Sequence, residues 1–579
     1  MAEPIEWLAD DTPFSPRFGD RYRSESGGLT QASEVFFKGC GLPTAWASQP
    51  QWRILETGFG LGLNFLVTWA AWRADPQRPQ LLHFVSIEAW PASADDLLRS
   101  FAAHPELLPL AAQLHAQWWG LSPGFQRLVF EGGQVQLTLC IGDAQAMLRE
   151  LVLEADSVYL DGFSPQRNPE IWSLHTLKAV SRHCRRGTRI ATWTIARAVR
   201  DALTQCGFEV QKTPGVPPKR DNLQGQFNPR WEPRKAHAVS DPVPTMPPGQ
   251  CIVIGAGLAG AAVASSLARR GWRVTVLDTA DTPAAGASGL PGGLLAPLVS
   301  KDDNLLSRLS RNGVRATLQQ AMALLHAGED WQLSGVQEMR ANDSPLWHAH
   351  AGWIKPARLV QAWLAHEHIS WQGGTHADRL QQTAEGWQVL NAKGEVLAEA
   401  PLIVIAAGLA SAHLSSEEMP LQAIRGQVSI GTRSIEALPI HPVNGHGSFI
   451  PDLPTAEGPR WIMGASFERD NAKADTTAAD DLANLERLKV LLPDAAQTLQ
   501  HQFTDGNLQA WAGVRCAAPD RTPMVGQLAS GLWVSTAMGS RGLTFAHLCA
   551  ELLAAQLHGE PWPIESKLGA ALNVARFKR

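Results

Sequence analysis

Two apolar runs of the same form organise the chain. The first, Arg53-Ile54-Leu55-Glu56, enters a glycine-spaced turn at Gly58, Gly60 and Gly62, and a helix-like stretch begins at Leu63-Asn64-Phe65. The second, Cys251-Ile252-Val253-Ile254, enters Gly255, Gly257 and Gly260, and a helix-like run follows over 261–270. Each is succeeded by another apolar run that stops at an acid: Leu82 to Ile87 at Glu88, and Arg273 to Leu277 at Asp278. Short unbroken apolar runs predict strands covered on both faces, and their alternation with helical stretches predicts parallel βαβ units.

Further runs extend the first unit. Strands are expected over 127–130 and 135–140, and over Ser157 to Leu160 ending at Asp161. A helix is expected from about Pro169 to His183, a strand over Arg189 to Trp193, and a last helix-strand pair through Phe208 to Lys212. Residues 1 to about 50 read as a β-hairpin-like lead-in. From Lys212 to Gly249 prolines accumulate and periodicity disappears, so this stretch reads as a linker or crossing segment with a boundary near 240. The expected domains are therefore 1–240 and 241–579. In the second, small-residue loops recur at Gly286 to Gly293, at Ala406-Ala407-Gly408 after the strand Leu402 to Ile405, and at Gly539 to Gly542 after Leu532 to Thr536; a helix is expected over 545–557.

The bulk composition narrows the class without deciding it. Of 579 residues, 45% are apolar and 18% charged, as in a well-cored globular protein. No stretch is long and apolar enough for a membrane span, and the start lacks an apolar signal core, so a cytoplasmic protein without membrane association is expected. The seven cysteines are scattered with no CxxC, which points to buried thiols rather than a metal site or disulfides. The net charge of −5 argues against a generally basic DNA-binding protein. The average conceals a local zone, however: Lys178 to Lys235 holds 13 Lys/Arg against 4 acids, an excess of 9. Such a zone suits either an anionic macromolecule or a solvated helix face followed by a basic linker.

Candidate chemistry lies at the strand ends. In a doubly wound sheet, ligands sit outside the carboxyl ends of the strands. Glu56, Glu88, Asp143 and Asp161 all fall at such ends, so all four are expected to face one crevice. Four acids do not suit phosphates. They suit a nucleoside with amine, hydroxyl and cationic groups, and S-adenosylmethionine fits better than a dinucleotide. The second glycine turn has the dinucleotide grammar. Gly255 permits the turn, Gly257 lets the backbone approach a pyrophosphate, Gly260 lets helix and strand pack, and Asp278 is placed to accept from a ribose. Backbone amides around Ser288, Gly292, Gly408, Gly539 and Gly542 could approach a flavin if the scattered loops converge.

These residues also carry resemblances. ILETGFGLGLNF is similar to the first motif of class I methyltransferases. LDGFSPQRNPEIW, the lead-in FGDRYRSESGGLTQASEVFF and the basic segment PPKRDNL resemble the methyltransferase half of the bifunctional tRNA wobble-uridine modification enzymes. The segment from 250 to about 560 resembles the FAD-dependent amine oxidases of the D-amino-acid oxidase and glycine oxidase type, and GSRG matches the oxidase half of the same bifunctional family. The resemblance implies an α/β architecture: a Rossmann-like methyltransferase domain, then an FAD-binding Rossmann-like domain with an inserted α+β substrate domain.

The resemblance also implies an activity. FAD-dependent removal of the carboxymethyl group from 5-carboxymethylaminomethyl-(2-thio)uridine at tRNA position 34 would be followed by methylation of the resulting amine from S-adenosylmethionine. Implied roles are Asp161 as base and Arg515, in Trp511-Ala512-Gly513-Val514-Arg515, as substrate-carboxylate clamp. Asn64 and Phe163 would lie at the S-adenosylmethionine site and Arg541 at the flavin site, while Lys219, Arg220, Arg230 and Arg234 would meet the anticodon arm. No metal is implied, and a monomer is expected. An amine oxidase for small amino acids fused to an unrelated methyltransferase, with no RNA partner, is the alternative. A non-enzymatic scaffold would be expected to have lost loop glycines, and they are present.

Overall fold

The computed structural model describes residues 3–23, 28–217, 219–232, 245–340, 343–433, 438–506 and 508–577. The chain divides into two compact units, Met1–Thr245 with Ala555–Lys567, and Met246–Ala554 with Leu568–Arg579.

The first unit is built on an eight-stranded sheet. Its central strand Gln51–Glu56 pairs in parallel with Leu81–Glu88 on one side and Ala155–Tyr159 on the other. Val135–Ile141 and Cys184–Thr192 extend the parallel core. Every residue of Leu81–Glu88 except the last is buried, as is all of Val135–Ile141, because helices cover both faces. One apolar cluster includes Ile54, Phe65 and Phe84; another, including Leu55, Val85 and Val158, fills the opposite side.

The sheet is not parallel throughout, as the sequence suggested. Gly124–Phe130 runs antiparallel to Val135–Ile141 at one edge, and Phe208–Pro214 and Asp221–Phe227 form an antiparallel hairpin at the other. The short connections decide this, since a parallel pair needs a crossover of a dozen residues or more. Asp221–Phe227 also corrects the reading of 212–249 as linker throughout. DNLQGQF lacks an apolar alternation, yet it pairs on both sides; residues 233–244 lie outside the described set. The helix expected from Pro169 starts only at Leu174, where the Ser173 hydroxyl accepts from the Thr176 amide at 3.2 Å and caps it. The lead-in holds three short antiparallel strands, Glu6–Trp7, Pro13–Ser15 and Asp20–Arg21, followed by helical turns from Gly28 to Cys40.

The second unit has two larger sheets. In the first, Gln250–Ile254 lies between Arg273–Leu277 and Leu402–Ile405, all parallel. Ile369–Gln372 adds beside Arg273–Leu277, Leu532–Thr536 beside Leu402–Ile405, and Met524–Ala529 closes the edge antiparallel. Strands more than a hundred residues apart thus become neighbours, because the intervening chain builds a second, mainly antiparallel sheet. That sheet centres on Gln422–Thr432, which pairs with Gln509–Ala517 over nine positions. Leu258–Ala268 packs tightly on the first sheet: a Cβ added to Gly260 would lie 1.8 Å from the Gly255 carbonyl oxygen, and Gly255 itself has φ of 109°. Six of the seven cysteines are buried and Cys516 is half-buried, all as free thiols.

Candidate active sites

In the first unit the strand ends open onto a cavity of about 890 Å³. Gly58, Gly60, Asn64, Glu88, Asp143, Asp161, Phe163 and Lys219 line it. Three of the four expected acids therefore face the space, and Glu56 does not. Its side chain is fully buried below the glycine turn, where Asn64 Nδ2 donates to Oε1 at 2.8 Å and the Ser86 hydroxyl to Oε2 at 2.6 Å. Burial pushes the Glu56 carboxyl up to about 8, with the neighbouring Asp161 and Glu88 adding to the shift and Ser86 and Asn64 opposing it. Gly62 is the residue before helix Leu63–Ala74 and has φ of 81°.

The remaining acids are each engaged differently. Glu88 accepts from the Gly60 amide at Oε2 and from the Trp90 amide at Oε1, both at 2.9 Å, so it fastens the glycine turn to the neighbouring strand tip. Burial raises its carboxyl to about 7 against the pull of those amides. Asp143 caps helix Ala144–Glu150 through the Ala146 amide at 2.9 Å. Asp161 is the most fully held: the Gly162 amide donates to Oδ1 at 2.8 Å, Trp193 Nε1 to Oδ1 at 3.1 Å, and Asn64 Nδ2 to Oδ2 at 2.8 Å. Burial raises it to about 6, with the same three donors restraining the shift.

Aromatic groups complete the wall. Phe163 stacks on Phe18 with centroids 4.7 Å apart and meets Tyr22 edge-on at 5.1 Å. The Lys219 ammonium sits 3.5 Å from the centroid of the Trp193 ring. Phe18 and Tyr22 come from the lead-in, which offers no catalytic spacing to mark them, and Lys219, expected at the anticodon arm, lines this cavity with Trp193. Trp172 is buried and donates from Nε1 to the Phe163 carbonyl at 2.7 Å. Arg220 and Arg230 are exposed away from the cavity lining, and Arg234 lies outside the described residues.

The second unit holds a cavity of about 860 Å³ that gathers loops scattered over three hundred residues. Gly255, Gly257 and Asp278 line it from the first βαβ unit, Ser288 and Gly292 from the next loop, and Gly408, Gly539 and Gly542 from the later strand ends. Gly260 lies beneath, between helix and strand. Asp278 accepts from the Ala256 amide at 2.7 Å and from the Ala280 amide at 2.9 Å, and Ser288 Oγ accepts from the Leu258 amide at 2.9 Å. Side chains are absent where the backbone must come close: a Cβ on Gly257 would already stand 3.0 Å from Ser288 Oγ.

Arg515 and Arg541 line the same cavity. Neither guanidinium has a hydrogen-bond or ion-pair partner among the described residues, and burial lowers the pKa of both. Desolvated guanidiniums of this kind await an anion.

Comparisons with known proteins agree with this geometry. Residues 105–228 match the model of an S-adenosyl-L-methionine-dependent methyltransferase family, and residues 250–344 and 311–556 match that of the FAD dependent oxidoreductases. A tRNA 5-methylaminomethyl-2-thiouridine biosynthesis bifunctional protein from Polaromonas sp. is 60% identical, over 99% of this chain and 98% of its own. The corresponding protein of Paracidovorax citrulli is 54% identical over the whole of both chains. This chain belongs to that family. Among solved structures, glycine oxidase from Bacillus cereus is similar over 54% of this chain and 95% of its own, at 18% identity and a TM-score of 0.44. The family has S-adenosylmethionine and FAD as its cofactors, and the residues present fit both. The first cavity offers carboxylates to a cationic nucleoside, and the second offers glycine turns and a helix start to phosphates. Among the described residues no helix is long and apolar enough to cross a membrane, and no acid, His or Cys cluster could hold a metal ion.

Proposed function

We propose that this chain carries out two consecutive steps on the wobble uridine of tRNA. The second unit oxidises the C–N bond of the carboxymethylamino group of 5-carboxymethylaminomethyl-(2-thio)uridine to an imine, and water hydrolyses that imine, releasing glyoxylate and leaving a primary amine. The first unit methylates that amine. The observation that carries this reading is the pairing of two different cofactor cavities in one chain, one lined by Glu88, Asp143 and Asp161 and the other by Arg515 and Arg541 among glycine turns.

Bound FAD supplies the two-electron oxidation of the C–N bond, and bound S-adenosylmethionine supplies the methyl group. Arg515 would take the substrate carboxylate in a two-pronged contact, which fixes the carbon to be oxidised. A small-molecule amino-acid oxidase would need the same clamp. The methyltransferase cavity beside a basic segment favours tRNA. In the first cavity, the acceptor amine must shed a proton to attack. Asp161 would hold it in line and accept that proton, and exclusion of water lowers the amine's proton affinity toward that of the carboxylate. Phe163 would pack on the uracil. Lys219, Arg220, Arg230 and Arg234 would lie along the anticodon arm, and the enzyme is read as a cytoplasmic monomer.

The test is nucleoside mass spectrometry of bulk tRNA from cells lacking the protein, before and after treatment with the purified enzyme, FAD and S-adenosylmethionine. Conversion through the aminomethyl nucleoside to the methylaminomethyl form is expected. Unchanged tRNA, with glycine or sarcosine oxidised instead, would overturn the reading in favour of a small-molecule oxidase.

A further inference from the structure

The carboxyl group of Glu56 is used by nothing in the steps above. It is fully buried and does not line the methyltransferase cavity. Yet it is one amide away from the acceptor site. The Asn64 side-chain nitrogen stands 2.8 Å from Glu56 Oε1 and 2.8 Å from Asp161 Oδ2. An amide nitrogen carries two hydrogens, so a single NH₂ group serves both carboxyls and neither hydrogen is left over. The far side of Glu56 is closed by Ser86 at 2.6 Å. Its other near titratable groups are Glu88 and the buried Tyr159 phenol.

We propose that Glu56 is a positioning residue for methyl transfer rather than a cofactor ligand: through Asn64 it fixes the orientation and basicity of Asp161. The inference rests on Asp161 as the base that meets the acceptor amine. Three donors reach Asp161. Gly162 is backbone, and Trp193 is anchored by the Lys219 ammonium over its ring. The Asn64 amide has no such restraint except Glu56 and its place on the helix start. Without the Glu56 oxygen the amide could rotate away, and Asp161 Oδ2 would lose its donor. Burial raises the Glu56 carboxyl to about 8, which favours its neutral form and limits a second charge beside Asp161.

The full-length, FAD-loaded protein tests this with E56Q, E56L, N64A and D161A. Methylation of aminomethyl tRNA is followed against pH, and S-adenosylmethionine binding by calorimetry. E56Q should keep the cofactor Kd within about twofold and the rate at pH 7 within about threefold. E56L and N64A should each lower kcat on the order of 10- to 100-fold, E56L with little change in cofactor Kd, and the double variant should be no worse than N64A alone. The rate is lost as pH falls, because Asp161 must be ionised. The wild-type acid limb is expected near 6, and in N64A it should move to higher pH because a donor that favours the carboxylate is gone. A merely structural role would not move that limb. A tenfold or greater weakening of cofactor binding in E56Q would make Glu56 a cofactor ligand and overturn the proposal, as would unchanged kcat and pH profile in both E56L and N64A. Full methylation by D161A would instead overturn the assignment of the base, a distinct failure.

Discussion

The two cofactor cavities are close in volume and open with the same device, but they differ in how their charges are satisfied. In both, the acid at the tip of the second strand accepts from an amide of the glycine turn: Glu88 from Gly60 and Asp278 from Ala256. Beyond that point they diverge. The carboxylates of the first cavity draw their partners from the protein itself, because strand tips and helix starts are rich in backbone amides. Of the guanidiniums of the second, Arg515 has no hydrogen-bond or ion-pair partner among the described residues, and Arg541 feels the Glu338 carboxylate without a hydrogen bond to it. A saturated carboxylate can hold and orient a proton carrier. An unsatisfied, partly desolvated guanidinium is poised to bind an anion brought by the substrate. The difference shows that similar βαβ openings can serve opposite electrostatic tasks once the residues beyond the turn are chosen.

The largest expected effect comes from removing the oriented carboxylate. Asp161→Ala should lower methyl transfer about 10³-fold, the usual scale for a general base, and leave oxidation of the carboxymethyl group intact. Aminomethyluridine should then accumulate in tRNA, which mass spectrometry of digested nucleosides would read directly. Full methylaminomethyl content would show that the contrast between the cavities has been misassigned.

The opposite lesion tests the other side. Arg515→Met keeps length and removes the two-pronged donor. The kcat/KM for oxidation should fall about 10²-fold, since a charge-assisted pair is worth roughly 3 kcal/mol. Methylation of tRNA that already carries the aminomethyl group should be unaffected. A parallel fall in both activities, measured on separately prepared substrates, would mean that Arg515 supports the fold rather than the carboxylate.

The sequence was legible where backbone geometry demands particular residues. Gly255, Gly257 and Gly260 announced a tight turn with close packing, and the structure places a φ of 109° at the first and a helix contact at the last. The acids at the strand tips were legible for the same reason. What they touch was not. Glu56 looks like Glu88 in the pattern, yet it turns inward beneath the glycine turn because Ser86 and Asn64 offer it partners there. Cross-strand and cross-turn partners of this kind depend on register, which a single chain does not display. The hairpin strand Asp221–Phe227 escaped notice because its neighbours, not its own side chains, make it a strand. The lead-in aromatics Phe18 and Tyr22 join Phe163 across more than 140 residues, a separation no local periodicity spans.

A smaller perturbation separates the presence of the Arg515 guanidinium from its placement. Gly426 stands opposite Gly513 in the register of Gln422–Thr432 with Gln509–Ala517. A Cβ at Gly426 would lie 2.5 Å from Arg515 Nη1 and 2.7 Å from its Cζ, so the guanidinium rests on bare backbone. The Gly426→Ala variant must displace that group by several tenths of an ångström while leaving its charge in the cavity. Its strand hydrogen bonds need not change, and the flexible end of an arginine can give way without unfolding the sheet. KM for the carboxymethylated tRNA should rise several-fold, up to about tenfold, an effect of misplacement rather than loss. The increase should vanish in an Arg515→Met background, because nothing is then left to displace. Steady-state kinetics of the single and double variants decide it. An additive penalty in the double variant would place the role of Gly426 in the sheet and not in the clamp.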